Sequence, residues 1–332
     1  MDAALLELFQ CPACSGPLVW RPATWDGDRI LDATARCSGC GVSYDVRHGV
    51  AVLLPGVVTD AWAETESWLT TLTREQPAVE RALLDPDPSA LGPADLLFRA
   101  LALEDRGDFA RARQAADLAD EGLYTEETRA CRDELLDDLV GAVEAGPETG
   151  LVVDIATGRG VLVERLAARI DRPIVATDVS PHVLLRTLTA LDALGLGQRV
   201  SFVACDARRT PFGDGAVPIA TTHAGLGNVT EPGSLLGELR RVVSGRFLAV
   251  TTFYSRDDDE NAAQIQRLGL ERVLYRDTLL AELEAAGWSA GIAGSCQARA
   301  EPTPASVVVE EAEIDALPAA PAELEWALVE FR

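Results

Sequence analysis

From Leu151 onward short apolar runs alternate with amphipathic stretches, and this alternation constrains the fold more than any other feature of the chain. Residues 151–155, 174–177, 200–204, 217–221 and 247–252 read as strands, with helices expected over 161–170, 181–194 and 234–243. Strands that are apolar along their whole length are buried on both faces, and helices at this spacing supply the two covering layers. The expectation is an α/β chain with a doubly wound, mostly parallel sheet. A further helix is expected over 278–286, and strands over 288–293 and 324–331.

The first of these strands runs straight into a glycine turn, Asp154-Ile155-Ala156-Thr157-Gly158-Arg159-Gly160. Two glycines one residue apart let the backbone bend tightly and approach a ligand that a Cβ would block. Asp178 ends the next strand, where a carboxylate can accept hydrogen bonds from both hydroxyls of a ribose. A dinucleotide fingerprint needs a third glycine, and Val163 stands in its place. The turn therefore suits a nucleoside ligand without a pyrophosphate.

Two cysteine pairs, Cys11-Pro12-Ala13-Cys14 and Cys37-Ser38-Gly39-Cys40, stand near the N-terminus. Each pair directs two thiolates at one ion, and two pairs close a tetrahedral four-sulfur shell with no open position. The expected ion is a structural Zn2+. Cys131, Cys205 and Cys296 are expected to be small buried residues, and the seven cysteines together argue for metal binding in a reducing compartment rather than a disulfide framework. The opening residues show no positive region followed by an apolar run, and no stretch approaches the roughly 18–20 apolar residues of a membrane span. No membrane association and a cytoplasmic location are the expectations.

Charge bears on partners. All 29 basic residues are arginine and the formal net charge is −24. Nucleic-acid binding draws much of its affinity from neutralised phosphates, so a chain this acidic needs a localised basic patch to hold RNA. The first 56 residues carry only Arg21, Arg29, Arg36 and Arg47 against six acidic residues. Nucleic acid is disfavoured on this ground.

Both ends of the chain also carry resemblances. Cys11-Pro12-Ala13-Cys14-Ser15-Gly16-Pro17-Leu18, then Cys37 to Gly41, Tyr44 to Val50 and Leu53-Leu54-Pro55, resembles the small zinc-ribbon proteins that activate tRNA, rRNA and release-factor methyltransferases as separate subunits. It is similar as well to the N-terminal ribbon of bacterial large-subunit rRNA guanine-N1 methyltransferases. The turn at 154–160 resembles motif I of class I S-adenosylmethionine (SAM)-dependent methyltransferases. That resemblance implies a Rossmann-like fold and a cofactor site formed by Asp154, Ala156, Gly158 and Gly160, with Asp178 and Val179 at the ribose. Asp206 and Ala207 are implied at the adenine, and Thr222 at the end of the fourth strand. Pro211-Phe212-Gly213-Asp214 is similar to a further family segment, although the acidic residue expected before strand four is missing, as is one of two glycines before strand five.

The acceptor is expected above the end of the fourth strand, at residues 221–228. His223 there is a candidate general base near neutral pH, weighed against a hydrogen-bonded histidine at a strand end. The expected organisation is a zinc ribbon over 1–56, a helical cover over 57–148 and a methyltransferase domain over 149–332. Within the cover, helical periodicity runs over 62–72, 78–84, 96–103 and 128–143, and Tyr124 is a candidate to reach the cofactor. The expected function is methylation of a small molecule, in the manner of specialised metabolism. An rRNA or tRNA base methyltransferase docking through its ribbon and a non-catalytic SAM-binding partner are the alternatives. The ribbon is left to dock either on a protein partner or on its own chain.

Overall fold

The computed structural model describes residues 1–54, 68–146, 150–310 and 312–332. The turn signal Pro55-Gly56, the first part of the helix expected over 62–72, Pro147-Glu148-Thr149 and both expected domain boundaries lie outside them.

The chain opens with a meander of four antiparallel strands, β1 (Leu18–Asp26), β2 (Arg29–Cys37), β3 (Ser43–Arg47) and β4 (Val50–Val52). In β2 the residues Ala33, Ala35 and Cys37 are buried, the alternation of a strand with one covered face. Five helices follow: α1 (Trp68–Glu75), α2 (Pro77–Leu84), α3 (Pro93–Asp105), α4 (Phe109–Leu123) and α5 (Glu126–Glu144). Thr125 caps α5 by accepting from the Thr128 amide at 3.1 Å.

The alternating part runs β5 (Val152–Asp154), α6 (Val161–Arg169), β6 (Ile174–Asp178), α7 (Pro181–Ala193), β7 (Val200–Ala204), β8 (Val217–His223), α8 (Pro232–Val242) and β9 (Val243–Phe253). It closes with α9 (Asp259–Leu268), α10 (Glu271–Leu274), α11 (Arg276–Ala285), β10 (Ala290–Ala300) and β11 (Ala322–Phe331). The acidic run Asp257 to Glu260 forms the start of α9, where Asp258 caps the Asn261 amide at 3.1 Å and the helix dipole favours the charge.

Among the described residues all strands join one 11-stranded sheet in the order β1-β2-β3-β4-β7-β6-β5-β8-β9-β11-β10. Its centre, β4-β7-β6-β5-β8-β9, is parallel, and both flanks are antiparallel. The ribbon is thus the edge of the same sheet: Val50, Ala51 and Val52 pair with Phe202, Val203 and Ala204. Leu53 N continues the ladder to Ala204 O at 2.8 Å, and Gln10 N reaches Pro211 O at 2.7 Å. Phe9 packs on Phe212 with centroids 5.6 Å apart, and Arg29 donates to the Gln198 and Val200 carbonyls. The ribbon docks on its own chain.

Cys131 of α5 and Cys296 of β10 form a disulfide across 165 residues, which corrects the reading of both as simple buried thiols. The helix α5 lies across β10, and this brings the two Cα atoms to 5.9 Å. Cys205 is a buried free thiol, as expected. No helix among the described residues is long and apolar enough to cross a membrane.

Ala51 lies in a strand paired on both sides, where proline removes a ladder donor. The variant Ala51→Pro should destabilise the whole chain, read as a single urea transition shifted to lower concentration by circular dichroism. A transition confined to the ribbon would show that the shared sheet is not one cooperative unit.

Candidate functional site: a four-cysteine centre and a cofactor turn

The sulfurs of Cys11, Cys14, Cys37 and Cys40 all lie within 4.8 Å of one another, with 3.6 Å between Cys11 and Cys40 and 3.4 Å between Cys14 and Cys37. A tetrahedral zinc with bonds of about 2.3 Å requires sulfurs roughly 3.8 Å apart. The donor set fits that ion. Backbone amides of Gly39 and Cys40 point at Cys37 Sγ at 3.3 and 3.4 Å, and the Tyr44 hydroxyl lies 3.1 Å from Cys11 Sγ. A Cβ on Gly16 would stand 3.0 Å from Cys37 Sγ, so glycine permits the close approach there.

At the C-terminal end of β5, Asp154 is 2% exposed. Its Oδ1 accepts from Thr221 Oγ1 at 2.9 Å and its Oδ2 from Thr157 Oγ1 at 2.8 Å. Burial nevertheless lifts its pKa to about 7. Beyond it Ala156 takes φ +54°, a left-handed conformation that costs a non-glycine residue roughly 1–2 kcal/mol. Gly158 and Gly160 take φ +53° and +78°. A Cβ on Gly160 would stand 2.4 Å from Thr187 Cγ2, whereas one on Gly158 would meet nothing within 4 Å. The turn is packed on its α7 side and open above Gly158.

Asp178 borders that opening. Its Oδ2 accepts from Gly158 N and its Oδ1 from Ser180 N, both at 3.0 Å, which aims the carboxylate across the turn. The next side chain, Val179, is 58% exposed and offers an apolar platform beside the acid. An apolar platform, an aligned carboxylate and a Cβ-free approach together fit the nucleoside of SAM. Asp206 is brought to the same edge by β7, and Arg208 grips its carboxylate, with Nε at 3.0 Å and Nη2 at 2.7 Å. Arg208 holds the Asp206 pKa below its usual range. Sequence reasoning missed this arginine, whose only signal is its place two residues on. Ala207 is half-buried beside it. Thr222 is buried, and its hydroxyl donates to Ile155 O at 2.7 Å, so it ties β8 to the turn instead of facing a ligand.

His223 ends β8 with its ring stacked near Trp326, centroids 6.5 Å apart. Burial, reinforced by Arg132 and Arg165, lowers its pKa to about 4. The imidazole is therefore neutral at pH 7, and the general-base role considered above falls to a weakly basic group. Tyr124 donates to Asp315 Oδ2 at 2.8 Å under the Arg132 guanidinium, tying the cover to the segment before β11.

Ion pairs close the cover over the turn. Arg159, between the two glycines, reaches Glu104 of α3 at 3.0 Å, and Arg113 of α4 grips Glu164 of α6 at 2.8 and 3.0 Å. Arg186 of α7 pairs with Asp105 of α3 at 2.5 Å.

Residues 152–245 match the family model described as a methyltransferase domain. That segment is similar to methyltransferase domains, and the chain joins it to a four-cysteine cluster that fits zinc. Through its N-terminal part the chain belongs to the UPF0434 protein family. It is 45% identical over 56 residues to a UPF0434 protein of Chelativorans sp., covering 17% of this chain and 68% of that protein. A demethylmenaquinone methyltransferase of Renibacterium salmoninarum is 35% identical over 143 residues, covering 41% of this chain and 53% of that enzyme. The chain thus spans about half the length of that relative. The crystal structure of YcgJ from Bacillus subtilis is similar with a TM-score of 0.48 and 16% identity, covering 60% of this chain and 97% of that one.

Elemental analysis of the purified chain should find one zinc per chain, and Cys37→Ser should lose the metal and lower the melting temperature of the whole sheet; metal-free protein of equal stability would contradict the structural centre. Asp154 generates a pH dependence. Its folded pKa of about 7 exceeds the unfolded value, so the folded state holds the extra proton between the two, and stability present below pH 4 is lost as pH rises through 7. The loss is on the order of 4 kcal/mol, and Asp154→Asn should flatten it in urea titrations across that range. Parallel profiles for the two proteins would remove Asp154 as the cause.

Proposed function

We propose that the protein transfers the methyl group of SAM to a small organic molecule held beneath its helical cover. The three ion pairs that clamp α3 and α4 across the cofactor turn support this reading, because they hold helices over the turn where an RNA reader needs an open basic groove. Bound at this turn, SAM supplies an electrophilic methyl on a sulfonium. We assign Asp178 and Val179 to its nucleoside and the open face of Gly158 to its approach. Asp154, Ala156, Gly160 and Thr222 hold the turn in shape, and Asp206 offers a carboxylate toward the adenine edge once Arg208 yields. The cover excludes water and holds the acceptor in line, and such positioning is worth roughly 7–11 kcal/mol of a displacement barrier. His223, neutral at pH 7, orients the acceptor.

The ribbon arginines argue in the same direction, since Arg29 is spent on backbone carbonyls of the methyltransferase sheet and Arg47 on Asp45. The name of the demethylmenaquinone relative also indicates a small acceptor.

Two measurements test the reading. Replacing Asp178 with alanine should weaken S-adenosylhomocysteine binding about ten- to hundredfold, the worth of hydrogen bonds to a charged group, by calorimetry; unchanged affinity would remove Asp178 from the site. SAM labelled on its methyl group, incubated with the protein and a cell extract, should deliver label to the low-mass fraction. Label in RNA would favour the ribbon-docking alternative, and no label in any fraction would favour a non-catalytic binder.

A further inference from the structure

Among the described residues, five have a buried side-chain nitrogen with no hydrogen-bond partner: Trp20, Arg129, Arg132, His223 and Trp326. Trp20 belongs to the ribbon. The other four share one layer of the molecule. Trp326 of β11 lies opposite Thr252 of β9, and His223 of β8 lies opposite Val250, two residues earlier on the same strand. Directly paired residues project to the same face of a sheet, as do residues two apart on one strand. His223 and Trp326 therefore stand side by side on one face, in agreement with their stacked rings.

The helix α5 covers that face. Cys296, paired opposite Trp326, is bonded to Cys131, and Arg132 is the next residue. Arg129 precedes Arg132 by three positions, so the two lie on one helical face. Arg132 acts on His223 directly through its charge. Its Nη atoms are engaged by Asp120 at 2.7 and 2.8 Å, and its Nε forms an ion pair with Asp133 Oδ1 at 3.6 Å, too long for a hydrogen bond.

Buried polar groups are almost always paired, because one left unpaired has lost its water without a replacement partner. Two of these groups lie on α5 and two on the sheet face that it covers, and each lacks a hydrogen-bond partner. Two are guanidinium donors and one is an indole donor, and the fourth is a neutral imidazole nitrogen. The set also adjoins the cofactor turn: two residues after His223, a Cβ on Gly225 would stand 2.9 Å from Ala156 Cβ.

We infer that Arg129, Arg132, His223 and Trp326 form the specificity site for the methyl acceptor, and that it receives a negatively charged oxygen, a carboxylate or a phenolate, attached to a planar ring. The aromatic faces of Trp326 and His223 match the ring, and the orphaned N–H groups match the oxygen. This rests on the methyltransferase reading of the neighbouring turn.

The test uses the full chain saturated with S-adenosylhomocysteine. Benzoate and 2-naphthoate are titrated by calorimetry, with benzyl alcohol and 2-naphthalenemethanol as neutral counterparts. A carboxylate should bind at least about tenfold more tightly than its alcohol, and Trp326→Phe, which keeps the ring and removes one donor, should reduce that preference about tenfold. Arg129→Gln should do likewise, while both variants keep wild-type affinity for S-adenosylhomocysteine. Equal binding of acid and alcohol, no binding of either acid, or a preference untouched by both variants overturns the inference and leaves the methyltransferase reading standing. Failure of S-adenosylhomocysteine itself to bind overturns the methyltransferase reading and the inference with it.

Discussion

The rest of the structure depends on a single pairing, the parallel ladder of β4 with β7. A parallel strand carries its hydrogen bonds in a buried setting, and an unpaired β7 edge would expose its amide and carbonyl row. The ribbon fills that edge with three paired residues and continues it through Leu53. Its own core then merges with that of the methyltransferase half, so that Tyr44, Val46, Val50 and Phe202 belong to one apolar cluster. The zinc centre thereby stabilises a strand neighbouring the cofactor edge, although its sulfurs take no part in the chemistry.

Beyond the C-terminal end of β5, local strain and close approach shape the site. Ala156 holds a conformation suited to glycine, and Gly225 is pressed against it. Strain of this kind persists where surrounding contacts over-determine the backbone. Here Thr222 to Ile155 O and Thr177 to Asp154 O supply those contacts, at 2.7 and 2.8 Å. The turn is thus held rigid before any ligand arrives.

Much of this was legible in the sequence because it is local. The glycine turn lies within seven residues, Asp178 ends the next strand, and the cysteine pairs announce their own geometry. The helix α4 was missed for a physical reason: its buried face consists of Ala112, Ala115, Ala119 and Leu123, and alanine gives a weak periodic signal. The Cys131–Cys296 bond joins residues 165 positions apart, a proximity that only packing creates. The same holds for the unpartnered nitrogens of Arg132, His223 and Trp326, drawn from three elements. Likewise, nothing in the run at 50–54 says which sheet edge it will join. Glu238, which accepts from Thr210 and Arg241 and so pins the segment around Phe212, became visible only in three dimensions.

The central claim is that one cooperative sheet holds a SAM site under a clamped helical cover. Hydrogen exchange by mass spectrometry, with and without S-adenosylhomocysteine, tests it most directly. The account predicts added protection at the turn around Gly158, at Asp178–Ser180, at Asp206–Arg208 and along α3 and α5, with the ribbon strands already slow in both states. Protection confined to the ribbon, or none at the glycine turn, would contradict it.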